Sequence, residues 1–257
     1  MNKTLLMGLL ITSISLAVSS LFSIVNLPGG KPLSPPTLQY PLGTYINGSN
    51  MINQNALALL NTILVALSVG ALEVFIGLPY GIVVGALRGK PKHALVRIPD
   101  ALTIIPRGPL VLSLALFFGV PKGFVLATPI IFSILIISFT GWGSLARQIG
   151  EIVTPSQYSF PQFSETFIEK FRVSLYKIRK TTTISFLNGM VDGASVYTLM
   201  GVLGVGDPRF PTLTTILVTG RLDGILYAWW IFLIPSIFRA IFLIGLYLMV
   251  SGAQRND

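Results

Sequence analysis

Charge is what this 257-residue sequence most lacks: only 11% of it is Asp, Glu, Lys or Arg. Soluble domains keep about a quarter of their residues charged, so this composition cannot coat a water-facing surface. Cysteine is absent, which excludes disulfides and thiolate metal sites and leaves the redox compartment undetermined. There is one histidine, His93. It sits among basic residues without clustered partners and is read as a solvated side chain rather than a metal ligand. No G-x-x-x-x-G-K-[ST] phosphate loop occurs, and Gly201-Val202-Leu203-Gly204-Val205-Gly206 has no lysine behind it, so it reads as a turn. With its lone histidine in a loop, the chain has no plausible Ser/His/Asp set. No catalytic, cofactor-binding or metal residues are expected, and the chain is not read as an enzyme.

Apolar runs are what it has instead. Hydrophobic residues make up 52% of the chain and its mean hydropathy is +0.76. A helical span needs about 20 apolar residues to cross a hydrocarbon core about 30 Å thick. The short alternating segments of a membrane barrel are absent. The expected fold is an all-α integral membrane protein of six transmembrane helices, over residues 4–27, 55–87, 100–119, 124–143, 181–203 and 228–250. The first run is too long for a signal-peptide core, with only Lys3 ahead of it, and is expected to stay as an anchor. Gly77-Leu78-Pro79 is expected to kink the long second span. Residues 120–123 form a short link between antiparallel neighbours. Trp229 and Trp230 suit a membrane–water boundary at the start of the last span.

This reading divides the chain into an N-terminal helix (1–27), a Pro/Gly-rich extracellular segment (28–54), a five-helix core (55–250) and a cytoplasmic tail (251–257). Within the core lie a basic loop, 88–99, and a polar loop, 144–180. In the second half of that loop Phe163, Phe167, Phe171 and Leu175 recur four apart, one face of a helix. Glu165, Glu169, Lys170 and Arg172 point in other directions.

The net charge of +9 follows topology. With both termini in the cytoplasm of a multi-pass cell-membrane protein, twelve basic residues fall inside: Lys3, Arg88, Lys90, Lys92, Arg97, Arg147, Lys170, Arg172, Lys177, Arg179, Lys180 and Arg255. Four fall outside, namely Lys31, Lys122, Arg209 and Arg221. This is the bias of the positive-inside rule, so no nucleic-acid partner is inferred. Asn47-Gly48-Ser49 is a glycosylation sequon in the outward segment.

Glu73, Arg107, Asp192 and Arg239 fall within the expected spans. A charge at mid-membrane costs about 2.5–3.5 kcal/mol on insertion scales, so it should pair or face water. Pairing of Glu73 with Arg107 or Arg239 is one reading. A place along a translocation path is the other.

Several motifs, in order, resemble a known family. Tyr40-Pro41-Leu42-Gly43-Thr44 resembles H-P-L-G-T-D, and Gly48-Ser49-Asn50-Met51 stands where that family carries G-R-D-V. Ile76-Gly77-Leu78-Pro79-Tyr80-Gly81 is similar to I-G-V-P-L-G, and Trp142…Ala146-Arg147 to W-x-x-x-A-R. Leu203-Gly204-Val205-Gly206 and Ala228-Trp229-Trp230…Pro235 resemble L-G-L-G and A-W-W…P. From about Tyr40 onward the chain thus resembles the C-type permease subunits of dipeptide/oligopeptide ATP-binding cassette (ABC) importers. The resemblance implies a type I ABC importer permease fold within the lipid bilayer. It also implies a second permease subunit forming a heterodimer, two cytoplasmic ATPase subunits that use ATP and Mg, and an extracellular substrate-binding protein.

The family's ATPase-coupling helix lies between the fourth and fifth spans, yet the E-A-A-x-x-x-G pattern is missing here. The nearest substitute carries Phe163, Ser164, Glu165, Phe167, Glu169, Lys170 and Phe171. Peptides and oligosaccharides rank nearly equal as substrates, with nickel far behind. A different class is an ion-coupled secondary transporter using Glu73 or Asp192, although no internal repeat is visible. A third is a membrane scaffold, which would tolerate changes at the intramembrane charges.

Overall fold

Helices begin where the chain supplies caps and glycine-lined faces. The structure, a computed structural model, describes residues 2–104, 106–122, 125–154, 167–207, 209–223 and 227–255. It describes their side chains except at 103, 121–122, 125–126, 167–174 and 221–223. Helix α1 (Lys3–Ile24) starts at Asn2, whose side chain accepts from the Thr4 N–H. Helix α2 (Met51–Ala86) starts at Asn50, which accepts from the Ile52 N–H at 3.0 Å. It runs on through Pro79 to a length of about 54 Å.

The expected basic loop is largely helical. Helix α3 (Lys90–Ile104) meets α4 (Arg107–Phe118) at 82°, so the third expected span is a bent pair. Strands β1 (Val120–Lys122) and β2 (Val125–Ala127) replace the expected simple link, pairing antiparallel. Helices α5 (Ile130–Gly141) and α6 (Gly143–Val153) together make a 24-residue candidate span. It extends past the fourth expected span into the polar segment. Helix α7 (Phe167–Val202) is continuous, so the helix read at 164–180 and the fifth span at 181–203 merge. Strand β3 (Val205–Gly206) pairs parallel with β2. Helix α8 (Leu213–Asp223) was not foreseen, and α9 (Trp229–Gln254) closes the series.

Among the described residues four helices are long and apolar enough to cross a membrane, or five if the bent pair counts as one. This is a multi-span α-helical membrane fold. The one expected crossing outside that set is the fifth, in α7, which has the length but carries Lys177, Arg179, Lys180, Asn188 and Asp192.

Helix α2 is the central post, packed mainly on α7 and α6, while α1 packs along α9. Small residues let the backbones approach, as packing within a bilayer demands. A Cβ at Gly70 would stand 2.6 Å from the Phe186 carbonyl of α7, and one at Gly81 2.6 Å from the Ala146 carbonyl of α6. Gly8 of α1 meets Met249 and Gly245 of α9 in the same way.

Candidate functional site

Three of the four intramembrane charges meet at one point. Glu73 projects from α2, Asp192 from α7, and Arg107 opens α4 just beyond its bend with α3. The Arg107 guanidinium donates through Nη2 to Glu73 Oε1 at 3.1 Å and through Nη1 to Asp192 Oδ2 at 2.5 Å. Two further bonds reach the last turn of α5: Nη2 to the Ile137 carbonyl at 3.0 Å and Nε to Thr140 Oγ1 at 3.2 Å. The planar fork of arginine can satisfy several acceptors at once, which a lysine could not. One side chain therefore ties α4 to α2, α5 and α7.

Burial differs sharply across the cluster. The Glu73 side chain is 7% exposed, Arg107 29% and Asp192 43%. Glycines make the tight end possible: a Cβ on Gly141 would overlap the Glu73 carboxylate, and one on Gly189 would lie 2.8 Å from Glu73 Oε2. Two carboxylates thus share one guanidinium, the sealed one on α2 and the half-exposed one on α7.

Arg239 lies elsewhere, on α9. It forms no ion pair with a described residue, and its Nε is buried without a hydrogen-bond partner. Of the two partners considered for Glu73, the structure places Arg107 beside it. Among the expected coupling residues, Phe163, Ser164 and Glu165 lie outside the described residues. Phe167, Glu169, Lys170 and Phe171 fall in the first turns of α7. The first described side chain on that face, Leu175, is 49% exposed. Among the described residues no group of three His, Asp or Glu side chains converges as a metal site.

The motif residues pair up in space. Gly43 adopts a φ of +74°, open to glycine at little cost, and lies so close to the Trp230 ring that a Cβ would stand 2.8 Å from it. Trp230 Nε1 donates to the Thr44 carbonyl at 3.1 Å, while Thr44 Oγ1 donates to the Lys31 carbonyl and accepts from the Ser34 N–H, both at 2.7 Å. Gly77 and Gly81 of α2 seat against Trp142, Leu145, Ala146 and Ile149. Tyr80 meets the Trp142 ring edge-on at 4.8 Å and donates to the Leu95 carbonyl at 2.8 Å.

Sequence reasoning missed a pocket of about 270 Å³ between α2, α3 and α6. There Arg147 pairs with Asp100, and Lys92 donates to Thr154 Oγ1 at 2.7 Å. It also missed Asp207, whose Oδ2 accepts from the Ile130 N–H at 3.1 Å and so caps α5 from a distant segment.

No family model matches the chain. Two curated relatives are weakly similar. One is the "Dipeptide transport system permease protein DppC" of Lactococcus lactis subsp. cremoris (strain MG1363), 29% identical over 120 residues; the match covers 46% of this chain and 32% of that protein. The other is the "Oligopeptide transport system permease protein OppC" of Bacillus subtilis (strain 168), 22% identical over 272 residues, covering 98% of this chain and 84% of that protein. The chain thus spans about a third of the first relative's length and most of the second's. Its similarity to peptide-transport permease subunits is weak and, in the first case, partial.

Proposed function

We propose that this chain is the transmembrane permease subunit of an ABC importer, moving peptides or oligosaccharides inward by alternating access. One observation carries the reading. Motifs that resemble the permease family, far apart in sequence, form two packed contacts: Gly43-Thr44 on Trp230, and Gly77 with Gly81 on Trp142 to Ile149. The weak similarity to two transport permeases, one of them nearly along the whole chain, points the same way.

On this reading six spans form a type I importer fold, from α1, α2, the bent α3–α4 pair, α5–α6, α7 and α9. Both termini are cytoplasmic, 28–50 faces outward, and the basic ends of α3 and α7 face two ATPase subunits. Hydrolysis of Mg-bound ATP belongs to those partners, and this chain supplies no catalytic group. A second permease subunit completes a heterodimer, and an extracellular binding protein delivers the solute.

Phe167, Glu169, Lys170 and Phe171, in the first turns of α7, together with Phe163, Ser164 and Glu165 ahead of it in sequence, are the residues the ATPase grips. A rigid helix so gripped transmits motion along its length. Because α7 is continuous, displacement at Phe167 reaches Asp192, where the Arg107 fork links it to three other helices. ATP binding then biases the spans between two arrangements in proportion to its differential affinity for them. Glu73, Arg107 and Asp192 flank the path, and Arg239 lies on the same span bundle.

Purification of the full chain from its native membrane without crosslinker tests the proposal. Co-purifying ATPase and second permease chains are expected. A lone homodimer that performs proton- or sodium-driven uptake would replace it with the ion-coupled transporter, Glu73 or Asp192 serving as the coupled carboxylate.

A further inference from the structure

Helix α7 presents a polar stripe on the side turned away from α2. Ser185, Asn188, Asp192 and Ser195 recur at alternating intervals of three and four residues, which places them on one helical face. The opposite face is packed: Leu187, Met190, Val191 and Ala194 are buried, with Gly189 and Gly193 pressed against Gly70 and Val69 of α2. On the stripe Asn188 is exposed, Ser185 and Ser195 are part-exposed, and the Asp192 side chain is 43% exposed. Acyl chains offer such groups nothing to bond, so in a span they must meet water or a polar partner.

Charge decides which partner. Glu73 is sealed behind Arg107, whereas Asp192 pairs with the same guanidinium and is still 43% exposed, so Asp192 is the carboxylate that the stripe presents. Residues 181–202 contain no lysine or arginine that would cancel it.

We infer that this stripe is a hydrated binding strip for a cationic group of the passing solute, a primary ammonium or a guanidinium. Asp192 is its carboxylate, Asn188 and Ser195 are neutral hydrogen-bonders one turn to either side, and Arg107 is the internal cation with which the solute competes. The inference rests on the permease reading and adds the charge of the transported group to it.

The absence of native cysteine makes the test direct. Asn188→Cys, Ser195→Cys and, as a control on α9, Ile241→Cys are each made in the full chain, expressed with its partners in native membranes. Each is reacted with a cationic trimethylammonium-ethyl and an anionic sulfonato-ethyl methanethiosulfonate. Rates are normalised to those of the two reagents with a free thiol in solution.

Both stripe cysteines are expected to react, the cationic reagent about tenfold faster or more, as a focused local potential gives. Asp192→Asn should bring the normalised ratio to about twofold or less, and Asp192→Glu should restore it. Ile241→Cys should stay unreactive. Stripe cysteines as silent as the control would mean a dry interface covers the stripe, and a ratio near one or in favour of the anion would mean no cation strip; either result overturns the inference. ATPase co-purification reads the permease proposal separately, so the two can fail independently.

Discussion

Removing the Arg107 guanidinium should expose how unequally its two ion pairs hold the fold. The bond to Asp192 is the shorter, 2.5 Å against 3.1 Å to Glu73, yet burial rather than distance should set the energies. Glu73 is 7% exposed and boxed in by Gly141 and Gly189. Arg107→Gln would leave its carboxylate buried without a counter-charge, a defect worth about 3–5 kcal/mol. Asp192, at 43% exposure, keeps access to water, and its pairing with Arg107 should contribute about 1 kcal/mol or less.

Double-mutant cycles in reversible unfolding from mixed micelles would measure both. Glu73→Gln with Arg107→Gln should show a coupling of about 2 kcal/mol or more, because neutralising both groups removes the stranded charge. Asp192→Asn with Arg107→Gln should show about 1 kcal/mol or less. A larger coupling for the Asp192 pair, or additivity within about 0.5 kcal/mol for the Glu73 pair, would refute the argument that burial dominates this cluster.

Gly141→Ala should cost about 1–3 kcal/mol by overpacking against the Glu73 carboxylate, and thermal unfolding should show that cost largely relieved in a Glu73→Ala background, where the added methyl has room. Thr44→Val should strand the Ser34 N–H, while the Lys31 carbonyl keeps the Ser34 hydroxyl as a donor, and lower stability by about 1–2 kcal/mol, with little change expected for Thr37→Val nearby. Gly81→Leu should separate α2 from α6 and abolish folded yield, as seen by size-exclusion chromatography in detergent. A membrane-impermeant maleimide should reach His93→Cys and Lys177→Cys only from the cytoplasmic side and Ser49→Cys only from outside; the reverse pattern would invert the proposed topology.

The charged residues show where sequence reasoning stops. That Glu73, Arg107, Asp192 and Arg239 needed partners or water followed from their place in apolar runs, since the cost of a charge in hydrocarbon is local. Which of them meet did not follow. Arg107 stands 34 residues from Glu73 and 85 from Asp192, and only helix packing brings them together. The glycines at 141 and 189 look unremarkable in sequence because their role is the absence of a side chain in someone else's space. The first half of α3 was likewise unreadable, since an amphipathic helix rich in lysine and proline has the composition of a loop.

By itself the sequence determined that the chain is an α-helical, multi-span membrane protein, because run length and charge scarcity are properties of neighbouring residues and need no partner. It also located most of the helices and the motif glycines. The tertiary structure alone decided the bend between α3 and α4, the continuity of α7, the antiparallel pairing of β1 with β2 and the choice of Arg107 over Arg239 for Glu73. Each of those depends on which distant backbones pack closely, and close packing here is set by glycine-lined faces meeting across the bundle rather than by any local pattern.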